Sequence, residues 1–242
     1  MNFRKPPFLT AEWRHLAMLN FLVDPALLQP LVPAGTELDV WQGKTYASLV
    51  GFLFLQTRVC GLPIPFHRNF EEINVRFYVR RRVGHEERRG VVFVKELVPR
   101  FAIALVARTL YGERYLSTRM THHVAAGPTG EPSAVSYAWW MHGQENKISV
   151  SAVGPATATA PGSEAEYITE HYWGYAQRPG GRTTEYHVRH PRWRVRTATS
   201  TRVEGDLTGT YGPVWSAILQ TPPVSAFLVE GSPVDVSWGA PL

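Results

Sequence analysis

Residues 72–78 read Glu72-Ile73-Asn74-Val75-Arg76-Phe77-Tyr78, and this alternating stretch is the most informative segment of the chain. Apolar and polar side chains follow one another with a period of two, which is typical of a β-strand with two different faces. The apolar set continues through Val79, and the polar set is Glu72, Asn74, Arg76 and Tyr78. The pattern predicts a strand over Glu72–Arg82.

Two orientations of this strand fit the pattern. If the apolar face packs outward under helices, the four polar side chains line the interior of a closed sheet. A carboxylate, an amide, a guanidinium and a phenol would then form a polar cavity, because such groups are costly to bury without partners or a ligand. In the reverse orientation the same four side chains form the solvent face, and the pattern alone leaves both open.

Strand-like and helical segments surround this stretch on both sides. The predicted strands are a hairpin of Glu37–Trp41 with Lys44–Leu55, a run over Val91–Leu97, a hairpin of Val135–His142 with Lys147–Val153, and strands Thr183–His190, Arg192–Thr199 and Ser225–Val229. The predicted helices are Pro25–Leu31 with Asp24 as N-cap, Phe101–Tyr111, a short helix opened by Ser163 and Glu166, and Pro213–Leu219.

Many short strands with frequent Gly and Pro turns favour a mainly β (α+β) fold with a few short helices. A closed or partly closed β-barrel would remove the free strand edges. The small-residue stretch Gly154–Gly162 is predicted to be an exposed loop, and no repeat or low-complexity linker interrupts the 242 residues. We therefore expect a single domain over residues 1–242.

The composition excludes several classes of protein. Cys60 is the single cysteine, which rules out a disulfide framework, a Cys-rich zinc site and an iron–sulfur cluster. The N-terminus lacks the apolar core of a signal peptide, and no apolar stretch is long enough to span a bilayer. We expect a cytoplasmic protein with no membrane partner, which is free to form homo-oligomers.

The net charge of +5 raises the possibility of a nucleic-acid partner, which the charge distribution disfavours. The basic residues are spread along the chain, and no phosphate-cradling glycine loop occurs. Arg192, Arg194 and Arg196 alternate with Trp193 and Val195, which is typical of a half-buried strand with a solvated outer face.

Histidines and lysines give weaker signals. His187 and His190 are three residues apart on a predicted strand and would face opposite sides, so we predict no metal site and no cofactor. Lys95 could be a buried amine nucleophile, but the alternation favours an outward charge. His171 could supply acid–base chemistry, although a capping or packing role is favoured. Arg108, in a predicted helix near a turn, could clamp an anion.

Several segments together resemble the YqjF-like bacterial family, a domain of unknown function. They are Phe21–Gly35, Ala47–Phe52, Glu72–Arg80, Gly90–Phe93, Ala107-Arg108, Tyr167–Tyr175 and His187–Trp193. The element Glu-x-Asn-x-Arg-x-Tyr at 72–78 is the most specific of them. That family is placed in the acetoacetate decarboxylase-like superfamily, whose fold is a cone-shaped, mostly antiparallel β-barrel with an internal cavity. The resemblance implies this fold and an inward-facing position for Glu72, Asn74, Arg76 and Tyr78.

The decarboxylases carry a Gly-Arg-Glu-x-x-Gly-x-Pro-Lys motif whose lysine forms a Schiff base with the substrate. The corresponding stretch here is residues 107–115, in which Arg108 and Gly112 match but Tyr115 stands at the lysine position. A phenol cannot form an imine, so the resemblance does not carry the Schiff-base mechanism over.

These observations predict a barrel whose cavity binds a small organic acid or carbonyl compound. Arg76 and Arg108 would hold the anionic group, with Asn74 and Tyr78 as further ligand contacts. Glu72 as base and Tyr115 as donor would supply lysine-independent acid–base chemistry such as enolisation, hydration or dehydration. The alternative is a non-enzymatic ligand sensor or a structural homodimer with a vestigial cavity, in which Glu72 and Arg76 pair only with each other.

Overall fold

A computed structural model describes residues 6–99, 115–128 and 130–242 of the chain. The strands of these residues are β1 Leu9–Leu22, β2 Glu37–Leu38, β3 Tyr46–Val59, β4 Leu62–Pro63, β5 Phe70–Val83, β6 Glu86–Val98, β7 Tyr115–Ser117, β8 Met120–Ala126, β9 Pro132–Met141, β10 Gln144–Ser151, β11 Thr157–Ala158, β12 Trp173–Gln177, β13 Thr183–Arg189, β14 Arg194–Thr197, β15 Ser200–Glu204, β16 Ser225–Val236 and β17 Ala240–Pro241. The helices are α1 Pro25–Leu28, α2 Glu164–Thr169 and α3 Thr208–Leu219, with 3-10 turns at Gln29–Leu31 and Pro179–Gly181. The predicted helix at Phe101–Tyr111 lies outside the described residues.

Seven strands close into a barrel in the order β16, β1, β3, β5, β6, β12, β13 and back to β16. Neighbouring strands are antiparallel except for β6 and β12, which pair in parallel over two residues. Closure removes the free edges that a sheet of this size would otherwise present to other chains. This architecture confirms the predicted mainly β barrel with a few short helices.

A second sheet, in the order β15, β10, β9, β8, covers part of the outside of the barrel. Ile73, Val75 and Phe77 of β5 lie in one apolar cluster with Trp139 and Ile148 of this sheet, and all five are fully buried. Strands β8–β10 therefore supply most of the cover of this face, where the inward orientation considered from the sequence had placed helices. Helix α3 completes it, through Tyr211 and Leu219.

Strand β1 was not predicted from the sequence, although it pairs with both β3 and β16 along most of its length. A β-bulge at His15, whose φ is 57°, interrupts its alternation. As a result Trp13 and Leu16, three residues apart, both face the barrel interior. A strand whose period of two is broken in this way escapes pattern analysis.

Other local predictions differ in outcome. Asp24 caps α1 as predicted and accepts a hydrogen bond from the Ala26 N–H at 2.8 Å. The hairpin of β9 with β10 is also confirmed. The hairpin of Glu37–Trp41 with Lys44–Leu55 was wrong, because β2 pairs with β5 and only a Trp41–Lys44 bridge closes the turn. The loop predicted over Gly154–Gly162 contains the two-residue strand β11, which pairs with β14.

The arginine stripe on β14 is only partly solvated. Arg194 is exposed, but Arg196 is buried like its neighbours Trp193 and Val195. The prediction of a uniformly solvated face was therefore wrong for Arg196. No helix in the described part of the chain is both long and apolar enough to cross a membrane.

Helix α2 and the residues after it close one end of the barrel. The Ser163 hydroxyl accepts a hydrogen bond from the Glu166 N–H at 3.2 Å, which confirms the predicted helix start. Tyr167, fully inside, donates from its hydroxyl to the Asp39 carbonyl at 2.8 Å and packs edge-on against Tyr78. This end of the interior is therefore filled with side chains, and the open space lies further along β5.

Candidate functional site

The barrel encloses a cavity of about 260 Å³. Glu72, Asn74 and Arg76 of β5 line it and are 2%, 1% and 7% exposed. Of the two orientations that the sequence left open, the structure therefore shows the inward one for this polar face. Three hydrogen-bonding side chains at alternate positions of one strand form a continuous polar patch on the cavity wall.

Glu72 is held in a network of hydrogen bonds. Its carboxylate accepts from the Asn74 amide at 3.0 Å and from the Tyr115 hydroxyl at 3.0 Å, through different oxygens. Burial raises the pKa of Glu72 to about 7, against the opposing effects of Asn74, Tyr115 and the positive charge of Arg76. A carboxyl group with a pKa near 7 can both take up and release a proton at neutral pH.

Tyr115 stands between two carboxylates. Its hydroxyl lies in hydrogen-bond contact with Glu96 as well as Glu72, and burial, followed by these two charges, raises the pKa of Tyr115 well above its ordinary value. The phenol therefore stays protonated. Because a hydroxyl has one proton, protonated Glu72 can donate to the phenol oxygen while the phenol donates to Glu96. The phenol can thus keep a hydrogen bond to Glu72 in both protonation states of that carboxyl group.

Glu96 was missed by the sequence analysis, although it is 2% exposed and lines the cavity. Strict alternation over Val91–Leu97 would place Phe93 and Glu96 on opposite faces. A bulge at Val94 changes the phase, so that Phe93 lies opposite Arg76 and Glu96 opposite Asn74. A carboxylate beside Lys95 in a mainly apolar run was the only signal in the sequence.

Arg76 is a buried cation in the cavity wall. Its Nε has no hydrogen-bond partner, and no ion pair involves its guanidinium in the part of the chain that the structure describes. The guanidinium carbon lies 5.9 Å from the ring centre of Tyr78. Burial of an unpaired guanidinium costs several kcal/mol, so an anionic ligand at this position would relieve a cost already present in the fold.

Tyr78 occupies a supporting position and is not among the side chains that line the cavity. Its hydroxyl is 2.6 Å from the Ser48 hydroxyl, which in turn donates to the Asn20 amide oxygen at 2.6 Å. The predicted direct ligand contact is therefore corrected, because the hydroxyl of Tyr78 is already engaged below the cavity. Arg108, the second predicted anion contact, lies outside the described residues.

His171 lines the cavity at its closed end, stacked on Tyr78 with ring centres 4.5 Å apart. Burial, reinforced by the nearby cations, lowers the pKa of His171 to about 4, against the opposing influence of Asp39. The neutral ring donates from Nε2 to Asp39 at 3.3 Å, and Arg89 donates to the same carboxylate oxygen at 2.7 Å. The packing role favoured from the sequence agrees with this placement.

Lys95 points away from the cavity. It lies opposite Val75 on the outer face of the barrel, and its amine donates to the Thr210 carbonyl. Neither of the other lysines in the described ranges, Lys44 and Lys147, lines the cavity. The residue that the resemblance aligned with the decarboxylase lysine is Tyr115, whose phenol is described above.

The other half of the cavity is aromatic. Five rings from three neighbouring barrel strands and from the residue before β14 line it, and we call them the aromatic wall: Trp13, Phe52, Phe54, Phe70 and Trp193. Phe54 and Phe70 stack with ring centres 4.7 Å apart. Ile64, in the segment that connects β3 and β5, is the exposed residue of the lining, and His67 of the same segment is half-buried.

Comparison with known proteins assigns the sequence of this chain to a family. A sequence profile of the DUF2071 family, described as an uncharacterized conserved protein, matches residues 10–230. The uncharacterized protein YqjF of Bacillus subtilis (strain 168) is 30% identical over 109 residues, which are 45% of this chain and 43% of YqjF. The match therefore spans less than half of the length of that relative.

Solved structures share the fold at low sequence identity. An acetoacetate decarboxylase from Legionella pneumophila superposes with a TM-score of 0.69 and 12% identity, covering 98% of this chain and 87% of that chain. The enduracididine biosynthesis enzyme MppR, complexed with pyruvate, gives 0.68 and 16%, covering 99% and 91%. An acetoacetate decarboxylase-like enzyme from Sphingomonas wittichii RW1 gives 0.67 and 15%, covering 100% and 98%. At these identities the likeness shows the fold alone.

Proposed function

The chain belongs to the DUF2071 family of uncharacterised conserved proteins, and from that starting point we propose that its barrel cavity binds a small organic acid with a carbonyl group. In this proposal Arg76 holds the carboxylate, Asn74 donates a hydrogen bond to it, and Glu72 exchanges a proton with the bound molecule. Arg108, at the matching position of the decarboxylase motif, is proposed as a second anion contact.

The buried guanidinium of Arg76, which has no ion pair among the described residues, is the observation that carries this proposal. Because Arg stays charged at all physiological pH values, the fold bears the cost of desolvating this cation in the absence of a ligand. A carboxylate would form charge-assisted hydrogen bonds there, and a planar guanidinium suits that partner. The MppR complex with pyruvate supports the same class of ligand for a barrel of this fold.

The Glu72–Tyr115 pair supports lysine-independent proton transfer. In the proposed enolisation, the Glu72 carboxylate takes a proton from the carbon next to the carbonyl. The electron pair of the broken C–H bond forms the new C=C bond, and the π pair of the carbonyl moves onto its oxygen, which accepts a hydrogen bond from the Tyr115 hydroxyl. The placement of Lys95 on the outer face supports a mechanism without an imine.

The alternative of a vestigial cavity required Glu72 and Arg76 to pair only with each other and to leave no room for a ligand. The open volume of about 260 Å³ and the hydrogen bonds of Glu72 to Asn74 and Tyr115 count against it. A ligand sensor without catalysis remains compatible with the same carboxylate contact, and the proton-transfer test below separates it from an enzyme.

Binding is tested by thermal denaturation with a panel of 2-oxo acids, hydroxy acids and aldehydes. A ligand at one hundred times its Kd should stabilise the protein by about 2.7 kcal/mol, a rise in Tm of roughly 5–10 °C. Arg76→Met should abolish the rise while leaving the unliganded protein at least as stable. The exposed Arg58 provides the matched control, because Arg58→Met should keep the full effect. An unchanged ligand effect in Arg76→Met would refute the proposal.

Proton transfer is tested by NMR, as exchange of the C3 protons of a bound 2-oxo acid for solvent deuterium. The parent protein should accelerate this exchange, and Glu72→Gln should remove the acceleration while keeping ligand binding. Glu71→Gln is the matched control, because Glu71 contacts His122 on the other side of the strand, at 2.7 Å. Binding without accelerated exchange in the parent protein would assign a sensor.

A further inference from the structure

The cavity has a second half that a small oxo acid would leave empty, and it defines the class of ligand more narrowly. Phe54 lies opposite Phe70, Phe52 opposite Glu72, and Ser48 opposite Arg76 along the β3–β5 pair. Phe52 is the ring of the wall nearest to the polar patch, and the step from its partner Glu72 to Arg76 covers roughly 13 Å of strand at about 3.3 Å per residue. The aromatic wall and the Arg76 guanidinium therefore occupy separate levels of one cavity.

The volume agrees with a ligand that reaches both levels. A cavity of about 260 Å³ would hold roughly nine water molecules at liquid density. A three-carbon oxo acid held at Arg76 would fill only the polar level, and the aromatic wall would stay wet or empty. Water between Phe54, Phe70 and Trp13 would find few hydrogen-bond partners, so an apolar group is favoured there.

The geometry of the rings indicates which apolar group fits. Phe54 and Phe70 stack face to face, whereas Trp13 meets Phe52 and Phe54 edge-on, with centres 5.2 and 5.6 Å apart. A further planar ring can continue such an arrangement in offset or edge-to-face contacts, which contribute beyond simple area burial. The exposed Ile64 and the half-buried His67 also line the cavity, and a ligand that enters past them carboxylate first would leave its ring on the aromatic wall.

We propose that the ligand is an amphipathic acid: a carboxylate beside a carbonyl group, joined to an aromatic ring. The ring packs against the aromatic wall and the carboxylate contacts Arg76. This inference rests on the proposed carboxylate site. Its new part is the aromatic ring of the ligand, which follows from the aromatic wall and not from Glu72, Asn74 and Arg76.

Calorimetric titration with three probes tests the proposal: pyruvate, phenylpyruvate and phenylacetone. Phenylpyruvate adds a ring to pyruvate, and phenylacetone lacks the carboxylate. Phenylpyruvate should bind at least tenfold more tightly than either, about 1.4 kcal/mol. Equal affinity for pyruvate and phenylpyruvate would overturn the ring and leave the carboxylate site standing. Equal affinity for phenylpyruvate and phenylacetone, or no binding at all, would overturn the carboxylate site as well.

Two variants locate the ring within the cavity. Phe54→Leu keeps an apolar side chain but removes a face of the wall, and should weaken phenylpyruvate at least threefold without changing the weaker binding of pyruvate. Phe21→Leu is the matched control, because Phe21 is also buried but belongs to the apolar cluster of Ile73 and Trp139 outside the cavity. Phe52→Leu gives the same test should Phe54→Leu not fold. Unchanged phenylpyruvate affinity in both wall variants would overturn the proposal.

Discussion

Glu72 and Arg76 are four residues apart on one strand, and burial acts on them differently. The carboxyl group can escape the cost of desolvation by taking up a proton, which is why its pKa rises to about 7. The guanidinium has no such escape and remains a cation inside the barrel. Burial therefore favours proton exchange at Glu72 and the binding of an anion at Arg76.

Glu72→Gln should change how stability depends on pH. The folded state raises the pKa of Glu72 from its ordinary value of 4.5 to about 7, so it keeps a proton that the unfolded chain releases between these values. This contribution to stability is complete below pH 4.5 and is lost as the pH rises through 7, by up to roughly 3 kcal/mol. A glutamine side chain does not titrate, so the variant should match the parent near pH 4.5 and exceed it at pH 8.

Chemical denaturation of both proteins at several pH values measures this difference. Glu71→Gln should follow the parent protein at every pH, since that side chain faces His122 outside the cavity. A constant difference between Glu72→Gln and the parent from pH 4.5 to 8 would show that Glu72 ionises normally in the folded protein.

For single residues, the sequence predicted which side chains face the barrel interior better than it predicted which of them reach the cavity. The alternation at 72–78 named Glu72, Asn74 and Arg76, and all three line the cavity. Tyr78 follows the same alternation but does not line the cavity, because its hydroxyl is hydrogen-bonded to the Ser48 hydroxyl. A period of two gives the face of a strand but not the depth at which a cavity ends.

Among the elements, the bulges of β1 and β6 determine what faces inward. Each brings two residues that are three apart to the cavity: Trp13 with Leu16, and Phe93 with Glu96. A bulge depends on how two strands pair, and the residues around Val94 contain no local pattern that predicts it. This is the physical reason why Glu96 and the whole of β1 escaped a pattern-based analysis.

Next to the bulge in β1, strand β16 has room only for a residue without a Cβ atom at position 231. Gly231, opposite Arg14, has a φ of +78°, and a Cβ there would stand 1.9 Å from the Trp13 carbonyl oxygen. Gly43 has a φ of +77° in the Trp41–Lys44 turn, with open space around it. Gly231→Ala should therefore destabilise the protein by about 1–3 kcal/mol more than Gly43→Ala, because both carry the backbone strain and only one carries the clash.

Urea denaturation compares the two glycine variants under identical conditions. Equal losses would mean that the close approach of Gly231 to Trp13 relaxes without cost, and that the bulge does not constrain this strand pair.

On the scale of the whole molecule, the barrel and its covering sheet share one core. Trp139 and Ile148 of the covering sheet are fully buried against the barrel strands, and Tyr137 donates to the His15 carbonyl at the β1 bulge, at 2.8 Å. The sequence analysis did not separate a second sheet from the barrel, because the strands of both show the same alternation of apolar and polar residues. Only the pairing partners distinguish them, and these are long-range contacts.

We expect the chain to unfold as a single cooperative unit, in agreement with one domain over residues 1–242. Ile148→Ala should shift the whole transition by about 2–5 kcal/mol, because it leaves a cavity between the two sheets. Far-UV circular dichroism and tryptophan fluorescence should give coincident curves in both proteins. Separate transitions for the two probes would show that the covering sheet is a distinct unit.

A crystal structure of the protein with bound phenylpyruvate tests the account most directly, because it locates the carboxylate. We predict both carboxylate oxygens inside the barrel, with at least one of them about 2.7–3.2 Å from a guanidinium nitrogen of Arg76. A ligand bound instead in the surface groove beside Arg58 and Arg189, with the Arg76 guanidinium still unpaired, would contradict the assignment of the cavity as the binding site.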